Sequence, residues 1–389
     1  MTQFNFADIE NIEDMAKVLG CQVSFIQNVL DCPSTYYRQV TVPRKRRPDP
    51  RIVYEVNSNL KNLHKNILTS IAAKVDFPEC VQGFVSKRSI VTNASLHLGR
   101  KYILNLDIKD FFESIKIEKI TQVFERLQCS QEVASIFAQL CNFNGCLVQG
   151  ANTSPILANL VCSDLDEQLI QLGKKYGCSY SRYADDITFS GDDIPKKKEI
   201  SRCIESYGFK INPDKYKCKS RGQKQYVTGL TVFDNLMPRI SKRVKKELRQ
   251  TLYYINKYGL EDHIEKKKEL IEKKKELRET LYDINKYRVE DHIEKSDDQR
   301  EESELLSWID GLISFIYSVE PEQAYKFDTA WQAILKKENL KPSRDPSKLI
   351  KRLRSQRNLE QKITILSERA IQESEETETV SKEAIFKIL

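Results

Sequence analysis

Two adjacent aspartates, Asp185 and Asp186, sit in the middle of "SRYADDITFSG", and a third, Asp107, ends the apolar run "KYILNLDI". An Asp pair in a turn needs no chemistry, because Asp tolerates turn conformations and bonds its own backbone. The third carboxylate adds another reading. A strand ending in Asp107 presents that side chain at a sheet edge, where a neighbouring hairpin can bring Asp185 and Asp186. Two Mg²⁺ ions roughly 4 Å apart need bridging carboxylates on rigid elements, with water and phosphate oxygens completing each octahedron. The chemistry of such a site is phosphoryl transfer, with an attacking hydroxyl activated and a leaving pyrophosphate neutralised.

The elements that must position these residues can be read from periodicity and punctuation. Residues 8 to 30 read as helical, with Ile9, Ile12, Met15, Val18 and Leu19 on one face. "TVPRKRRPDPRIVYEV" is a basic, Pro-rich hairpin or loop followed by a strand, and Leu60 to Ala73 returns to helix. A short strand ends at Asp107, and a helix follows from Asp110. "TSPILANLVCSDLDEQLI" opens a helix with Ser154 as N-cap and Pro155 at its first position. The Asp185–Asp186 hairpin, a helix over Pro195 to Tyr207 and strands near Tyr226 to Phe233 come next. Everything after about Ser241 reads as helix, so mixed α and β gives way to all-α.

Composition restricts the partners. The chain has 389 residues, 31% of them charged, and a formal net charge of +7. Basic clusters at Arg44 to Arg47, Lys215 to Lys224 and Arg239 to Arg249 favour nucleic acid, although such runs are also ordinary solvated faces. Glu373 to Glu378 form an acidic run. None of the ten cysteines is spaced as CxxC, the closest pair being Cys141 and Cys146, and there are four histidines. The cysteines are expected to be reduced core thiols of a cytoplasmic protein. Acidic residues within Phe4 to Glu10 argue against a signal peptide, and no apolar run is long enough to span a bilayer, so a soluble protein without a membrane partner is expected.

A near-exact repeat lies in the C-terminal half. "KKELRQTLYYINKYGLEDHIEK" (245–266) returns as "KKELRETLYDINKYRVEDHIEK" (274–295), identical at 18 of 22 positions with an offset of 29. Eight helical turns also come to about 29 residues, so the duplication keeps one helical face. It reads as a tandem lengthening of a helical arm, adding about 40 Å if continuous. Gly259 can break the first copy, whereas Arg288 replaces it in the second, so a helix pair is as good a reading as one rod.

"LNLDIKDFFESI", "QGANTSPILANL", "SRYADDITFSG", "GFKINPDK" and "VTGLTV", in this order over about Ile103 to Val232, resemble the ordered motifs of reverse transcriptases. The resemblance implies a catalytic metal triad of Asp107, Asp185 and Asp186, with the Ile108 carbonyl as a further metal ligand. Two Mg²⁺ ions are implied, with Mn²⁺ as a substitute. Phe112 falls at the aromatic gate against a ribose 2′-hydroxyl, where a core aromatic is the competing reading. Gln149 and Gly150 resemble the nucleotide and template contact, and Asn152 departs from the proline usual there. Lys215 falls at a lysine near the pyrophosphate, and a solvated lysine is an equal alternative. Asp110 is expected to cap its helix and leave backbone amides free for the triphosphate.

"NASLH" (93–97) and "VTG" (227–229) further resemble the NAxxH and VTG signatures of retron reverse transcriptases. The resemblance reaches from roughly Tyr54 to Pro321, ending in "GLISFIYSVEP". It implies an α+β, right-hand polymerase architecture: fingers and palm of antiparallel sheet plus helices, and an all-α thumb carrying the duplicated helical insert. The expected division is 1–50 (N-terminal helices and basic loop), 51–235 (fingers and palm), 236–325 (thumb) and 326–389 (charged helical extension). Implied RNA contacts are Asn93, Ala94, His97, Val227, Thr228 and Gly229, with Lys242, Arg243, Lys245, Lys246 and Arg249 on a basic helix suited to an RNA backbone. Implied partners are a cognate non-coding RNA and its msDNA, deoxynucleoside triphosphates, host RNase H and an effector encoded nearby in anti-phage defence. A group II-like or diversity-generating reverse transcriptase, or an idle RNA-binding scaffold, stands as the alternative. Against these stand the two signatures and the intact Asp triad.

Overall fold

The computed structural model describes residues 4–43, 50–269 and 298–341. It divides into two compact units, Met1–Arg239 and Ile240–Leu389. In the first, α1 (Ile12–Leu19) and α2 (Val23–Asp31) precede the antiparallel hairpin β1 (Tyr37–Val42) and β2 (Arg51–Val56). Then come α3 (Ser58–Ala72), α4 (Ile90–Ser95), β3 (Tyr102–Asp107), α5 (Phe111–Ser114), α6 (Ile117–Arg126) and α7 (Gln131–Cys141). They are followed by α8 (Ser154–Val161), α9 (Ser163–Lys175), β4 (Ser179–Tyr183), β5 (Asp186–Gly191) and α10 (Lys197–Ser206). Strands β6 (Lys217–Ser220), β7 (Tyr226–Val227) and β8 (Leu230–Thr231) complete the unit.

A four-stranded antiparallel sheet in the order β4-β5-β3-β6 forms the platform. Its central strands bury Ile103, Leu104, Leu106, Ile187 and Phe189 against the helices. Away from the sheet, Phe124 and Phe137 stack at 5.0 Å between α6 and α7, and Phe6 packs edge-on to Phe137 at 5.4 Å. The N-terminal residues therefore belong to the core of this unit rather than to a separate region ending at residue 50.

Local differences from the sequence expectation have physical causes. The helical reading of 8–30 is interrupted where Gly20 adopts a left-handed conformation (φ 69°) and ends α1. The reading from Ser154 onward splits into α8 and α9 at Cys162, with no glycine or proline to mark the break. Thr153 occupies the N-cap position of α8 and Ser154 is its first helical residue. Asp110 does not cap α5 with its side chain. It is left-handed (φ 47°), without the extended backbone from which a side-chain oxygen reaches the first-turn amides. All ten cysteines are unpaired, but only Cys80, Cys129, Cys141 and Cys162 are buried.

In the second unit, α11 (Lys242–Tyr258), α12 (Asp298–Val319) and α13 (Pro321–Lys337) share an apolar core that includes Leu248, Leu252, Ile309, Ile313, Ile316 and Phe327. Trp331 is fully buried and its indole N–H donates to Asp310 Oδ1 at 2.9 Å. Helix α13 runs across the expected 325/326 boundary. Gly259 ends α11 with φ 96°, so the first repeat copy is not one uninterrupted helix, although residues 260–269 are again helical. The second copy (274–295), the basic cluster 44–47 and most of the C-terminal extension lie outside the described residues. Among the described residues, no helix is long and apolar enough to cross a membrane.

Candidate active site

Register brings the carboxylates together. Asp107, the last residue of β3, pairs directly with Asp186, the first of β5, while Asp185 lies in the two-residue turn from β4. Ala184 in that turn is left-handed (φ 57°), and the amide of Ile108 donates to the Asp185 carbonyl at 2.9 Å, tying the turn to the end of β3. Gly83 packs against the turn from outside; a Cβ there would lie 2.4 Å from the Ala184 nitrogen, so only glycine fits.

A buried charged clamp holds the hairpin from behind. The Arg182 guanidinium on β4 donates through Nε (2.8 Å) and Nη2 (2.6 Å) to the two carboxylate oxygens of Asp166 on α9. Arg182 Nη1 also reaches Asn159 Oδ1 at 3.0 Å and the carbonyl of Ala184 at 3.3 Å. Tyr180 donates its hydroxyl to Asp166 at 2.6 Å, so the buried charges are paired and hydrogen-bonded on several sides. Sequence reasoning missed Arg182, Asp166, Asn159 and Gly83. The charged pair stands in runs that read as strand and helix, and the cue to Gly83 was a glycine interrupting the apolar "CVQGFV".

The site is short of positive charge. Asp185 is pushed up to about 7, first by burial, then by the neighbouring carboxyls of Asp107 and Asp186. Asp186 is raised, first by desolvation and then by the Asp107 charge, with Lys215 opposing. Lys215 forms an ion pair with Asp107 Oδ2, and Asn212 Nδ2 donates to Asp107 Oδ1 at 3.2 Å. Among the described residues, no group of three or more His, Cys, Asp or Glu is arranged as a finished metal cage. Two-metal nucleotidyl sites draw further ligands from substrate phosphates and water, and crowded hard-oxygen donors suit Mg²⁺, so the carboxylates fit such ions.

The other sequence-derived residues fall in several environments. Phe112 is half-buried and lies 6.2 Å from Phe84 between ring centroids, while its neighbour Phe111 is buried against Phe209. The Gln149 carbonyl accepts from the Tyr54 amide on β2 at 2.7 Å, and its side chain is gripped by Arg51 and Glu113. Gly150 (φ 114°) lets β2 approach; a Cβ would lie 2.0 Å from the Tyr54 carbonyl oxygen. Asn93, Ala94, His97 and Val227, expected as RNA contacts, are buried. Their side chains have no surface to offer a ligand directly, whereas Thr228 is half-buried and Gly229 exposed. On α11, Lys242, Arg243, Lys246 and Arg249 are exposed. Lys245 is not free for RNA, because Glu320 takes its ammonium at 3.0 Å with both carboxylate oxygens.

An antiparallel sheet presenting three carboxylates at one end is the platform of a nucleotidyl-transferring polymerase palm. Residues 42–269 match the family of reverse transcriptases, RNA-dependent DNA polymerases. The chain is 34% identical over 267 residues to the retron Mx65 reverse transcriptase of Myxococcus xanthus, an alignment covering 62% of each chain. It is 32% identical over 253 residues to the retron Ec86 reverse transcriptase of Escherichia coli, covering 64% of this chain and 78% of that one. It is 28% identical over 268 residues to the retron Se72 reverse transcriptase of Salmonella heidelberg, covering 66% and 70%. The chain belongs to the reverse transcriptase family, on its retron branch.

Proposed function

We propose that this chain is the RNA-directed DNA polymerase of a retron. It binds a structured non-coding RNA, starts from the 2′-hydroxyl of an internal guanosine and copies part of that RNA into branched msDNA. The observation that carries this reading is the pairing of Asp107 with Asp186 across β3 and β5, with Asp185 in the β4–β5 turn tied to the end of β3 by the Ile108 amide. Asp107, Asp185, Asp186 and the Ile108 carbonyl would hold two Mg²⁺ ions, with Mn²⁺ as a substitute. Bound there, the ions supply activation of the attacking hydroxyl and neutralisation of the leaving pyrophosphate.

The remaining residues orient and select. Lys215, paired with Asp107, offers a partly exposed positive charge on the pyrophosphate side. Phe112, backed by Phe84, walls the sugar of the incoming deoxynucleotide, and Gln149 with Gly150 lines the nucleotide and template path. The first unit would act as fingers and palm and the second as thumb, its exposed cations on α11 meeting backbone phosphates. Host RNase H would trim the template, and the enzyme with its msDNA would restrain an effector in anti-phage defence.

The test is to sequence the nucleic acid that co-purifies with the chain and supply deoxynucleotides to that complex. The expected product is DNA that stays joined to RNA after denaturation through a 2′–5′ branch. DNA made only from an annealed 3′ end would leave a reverse transcriptase without the retron mode of priming. No DNA from either would leave an RNA-binding scaffold.

A further inference from the structure

The two retron-like signatures are joined in this fold by one chain of side-chain hydrogen bonds, and its direction can be deduced. At one end, Thr228 Oγ1 lies 3.1 Å from the Ile90 carbonyl, which can only accept, so the threonine donates there. Thr228 must then accept from Asn93 Nδ2 at 3.4 Å, which turns Asn93 Oδ1 toward Ser181 Oγ at 2.7 Å. With its proton given to Asn93, Ser181 accepts from His97 Nε2 at 2.7 Å. His97 Nδ1 is then the acceptor and takes the Ser190 hydroxyl at 2.6 Å. Ser181 and Ser190 lie on β4 and β5, the strands that carry the Asp185–Asp186 turn. The chain thus runs from the catalytic hairpin, through α4, to the turn between β7 and β8.

That turn is held in a conformation threonine does not choose. Thr228 (φ 45°) and Gly229 (φ 84°) are both left-handed, as a two-residue hairpin turn of this twist requires. Asn or Gly is the ordinary occupant of the first position, and a β-branched residue there is strained. A threonine at that position makes sense if its hydroxyl is needed. The turn also borders a cavity of about 370 Å³, shared with Asn105, Tyr183, Asp186 and Tyr226. A Cβ on Gly229 would meet no atom within 4 Å.

We propose that the Ser190–His97–Ser181–Asn93–Thr228 chain is a positioning device. It locks the Thr228–Gly229 turn at a fixed place beside Asp186, so that the turn's backbone, not the buried signature side chains, meets the RNA nucleotide whose hydroxyl starts synthesis. This rests on the reading of the chain as an RNA-primed polymerase. Thr228 acts through its hydroxyl, and its methyl group is dispensable.

The experiment compares Thr228→Ser and Thr228→Val for initiation on the co-purifying RNA, with an annealed DNA primer on an RNA template as a parallel substrate. Thr228→Ser is expected to initiate with a KM near that of the parent. Thr228→Val, which keeps shape and loses the hydroxyl, is expected to raise KM for the RNA about tenfold, the scale of one lost hydrogen bond, with the loss falling on KM rather than kcat. A packing role gives the reverse order, Val active and Ser impaired, and overturns the proposal, as does equal behaviour of the two. If the parent extends no primer at all, the polymerase reading fails instead. Should Thr228→Val not fold, the ¹⁵N shifts of His97 decide: a proton on Nε2 supports the chain, and a proton on Nδ1 breaks it.

Discussion

The catalytic hairpin and the basic face of α11 are both rich in charge, yet they handle it in opposite ways. Around Asp185 and Asp186, ionic and polar side chains are buried and bonded on several sides, as in Arg182–Asp166 and the His97 chain. On α11, Lys242, Arg243, Lys246 and Arg249 stand in solvent, and Lys245 alone of that cluster is drawn into an ion pair with Glu320. Chemistry at fixed distances needs over-determined geometry, whereas attraction to phosphates needs only charge within a Debye length. The contrast predicts that substitutions in the first region act on fold and catalysis, and those in the second on affinity and salt dependence.

The largest expected effect is at the carboxylates. Asp185→Asn combined with Asp186→Asn should lower DNA synthesis by at least about a thousandfold, the scale of removing transition-state electrostatics. RNA binding should be retained, because the α11 cations are untouched. Radiolabelled primer extension alongside a filter-binding titration measures both. Undiminished extension by the double variant would remove the metal-site reading altogether.

Next comes the clamp behind the hairpin. Arg182→Met leaves the Asp166 carboxylate buried without its guanidinium, a loss of roughly 3–5 kcal/mol for a broken buried pair. Adding Asp166→Leu should recover part of that loss, because no orphan charge then remains. Urea unfolding of parent, single and double variants reads the order directly. A single variant as stable as the parent would mean that the clamp contributes nothing.

How far the sequence exposed these two regions follows from the same contrast. Asp107, Asp185 and Asp186 were legible because three carboxylates at strand ends have few uses. The hairpin and the strand at Asp107 were legible because apolar residues bracket them. Strand β6 was not, since its "KCKS" lies at a sheet edge with exposed or half-buried side chains and no apolar alternation. Arg182 and Asp166 were invisible because nothing local says that a charge in a strand will be buried against one on a helix. His97 and Asn93 were singled out through their motif, but their partners, Ser181 and Ser190, lie more than 80 residues away in the chain. For Lys245, neighbouring lysines look alike in sequence, and only the fold brings Glu320 to one of them.

A smaller effect separates the regions by pH. His64 is buried and neutral, its Nε2–H donating to the Leu140 carbonyl at 2.8 Å, and burial lowers its pKa to about 4. His97 is lowered to about 3, also by burial, with Arg100 adding to the shift. With both folded values below the ordinary 6.5, the unfolded chain binds more protons from about pH 6.5 downward. Their contribution is therefore present above pH 6.5 and lost as pH falls toward 4 and then 3. Asp185, with its raised value, works in the opposite direction, so the comparison must be made between variants. His64→Gln, which can keep the bond to Leu140, should flatten the acid slope by up to ~1.4 kcal/mol per pH unit between about 6 and 4. Thermal unfolding across that range should show parent and variant converging toward acid; parallel curves would mean that His64 titrates normally.

The smallest expected effect makes the sharpest comparison, because it sets two adjacent lysines against each other. Lys246 is exposed, so Lys246→Ala should leave unfolding unchanged and lower the slope of log affinity against log salt by about 0.7–0.9, one phosphate contact. Lys245 neutralises Glu320, whose carboxylate also accepts from the Ile240 amide at 2.8 Å at the start of the second unit. Lys245→Ala should therefore cost stability, roughly 1–3 kcal/mol for a charge-assisted contact, and leave the salt slope where it was. A salt slope that falls equally for both variants would put Lys245 back among the RNA contacts. It would also mean that Glu320 yields the lysine when RNA arrives, and the division between a bonded region and a solvated one would then hold only for the free protein.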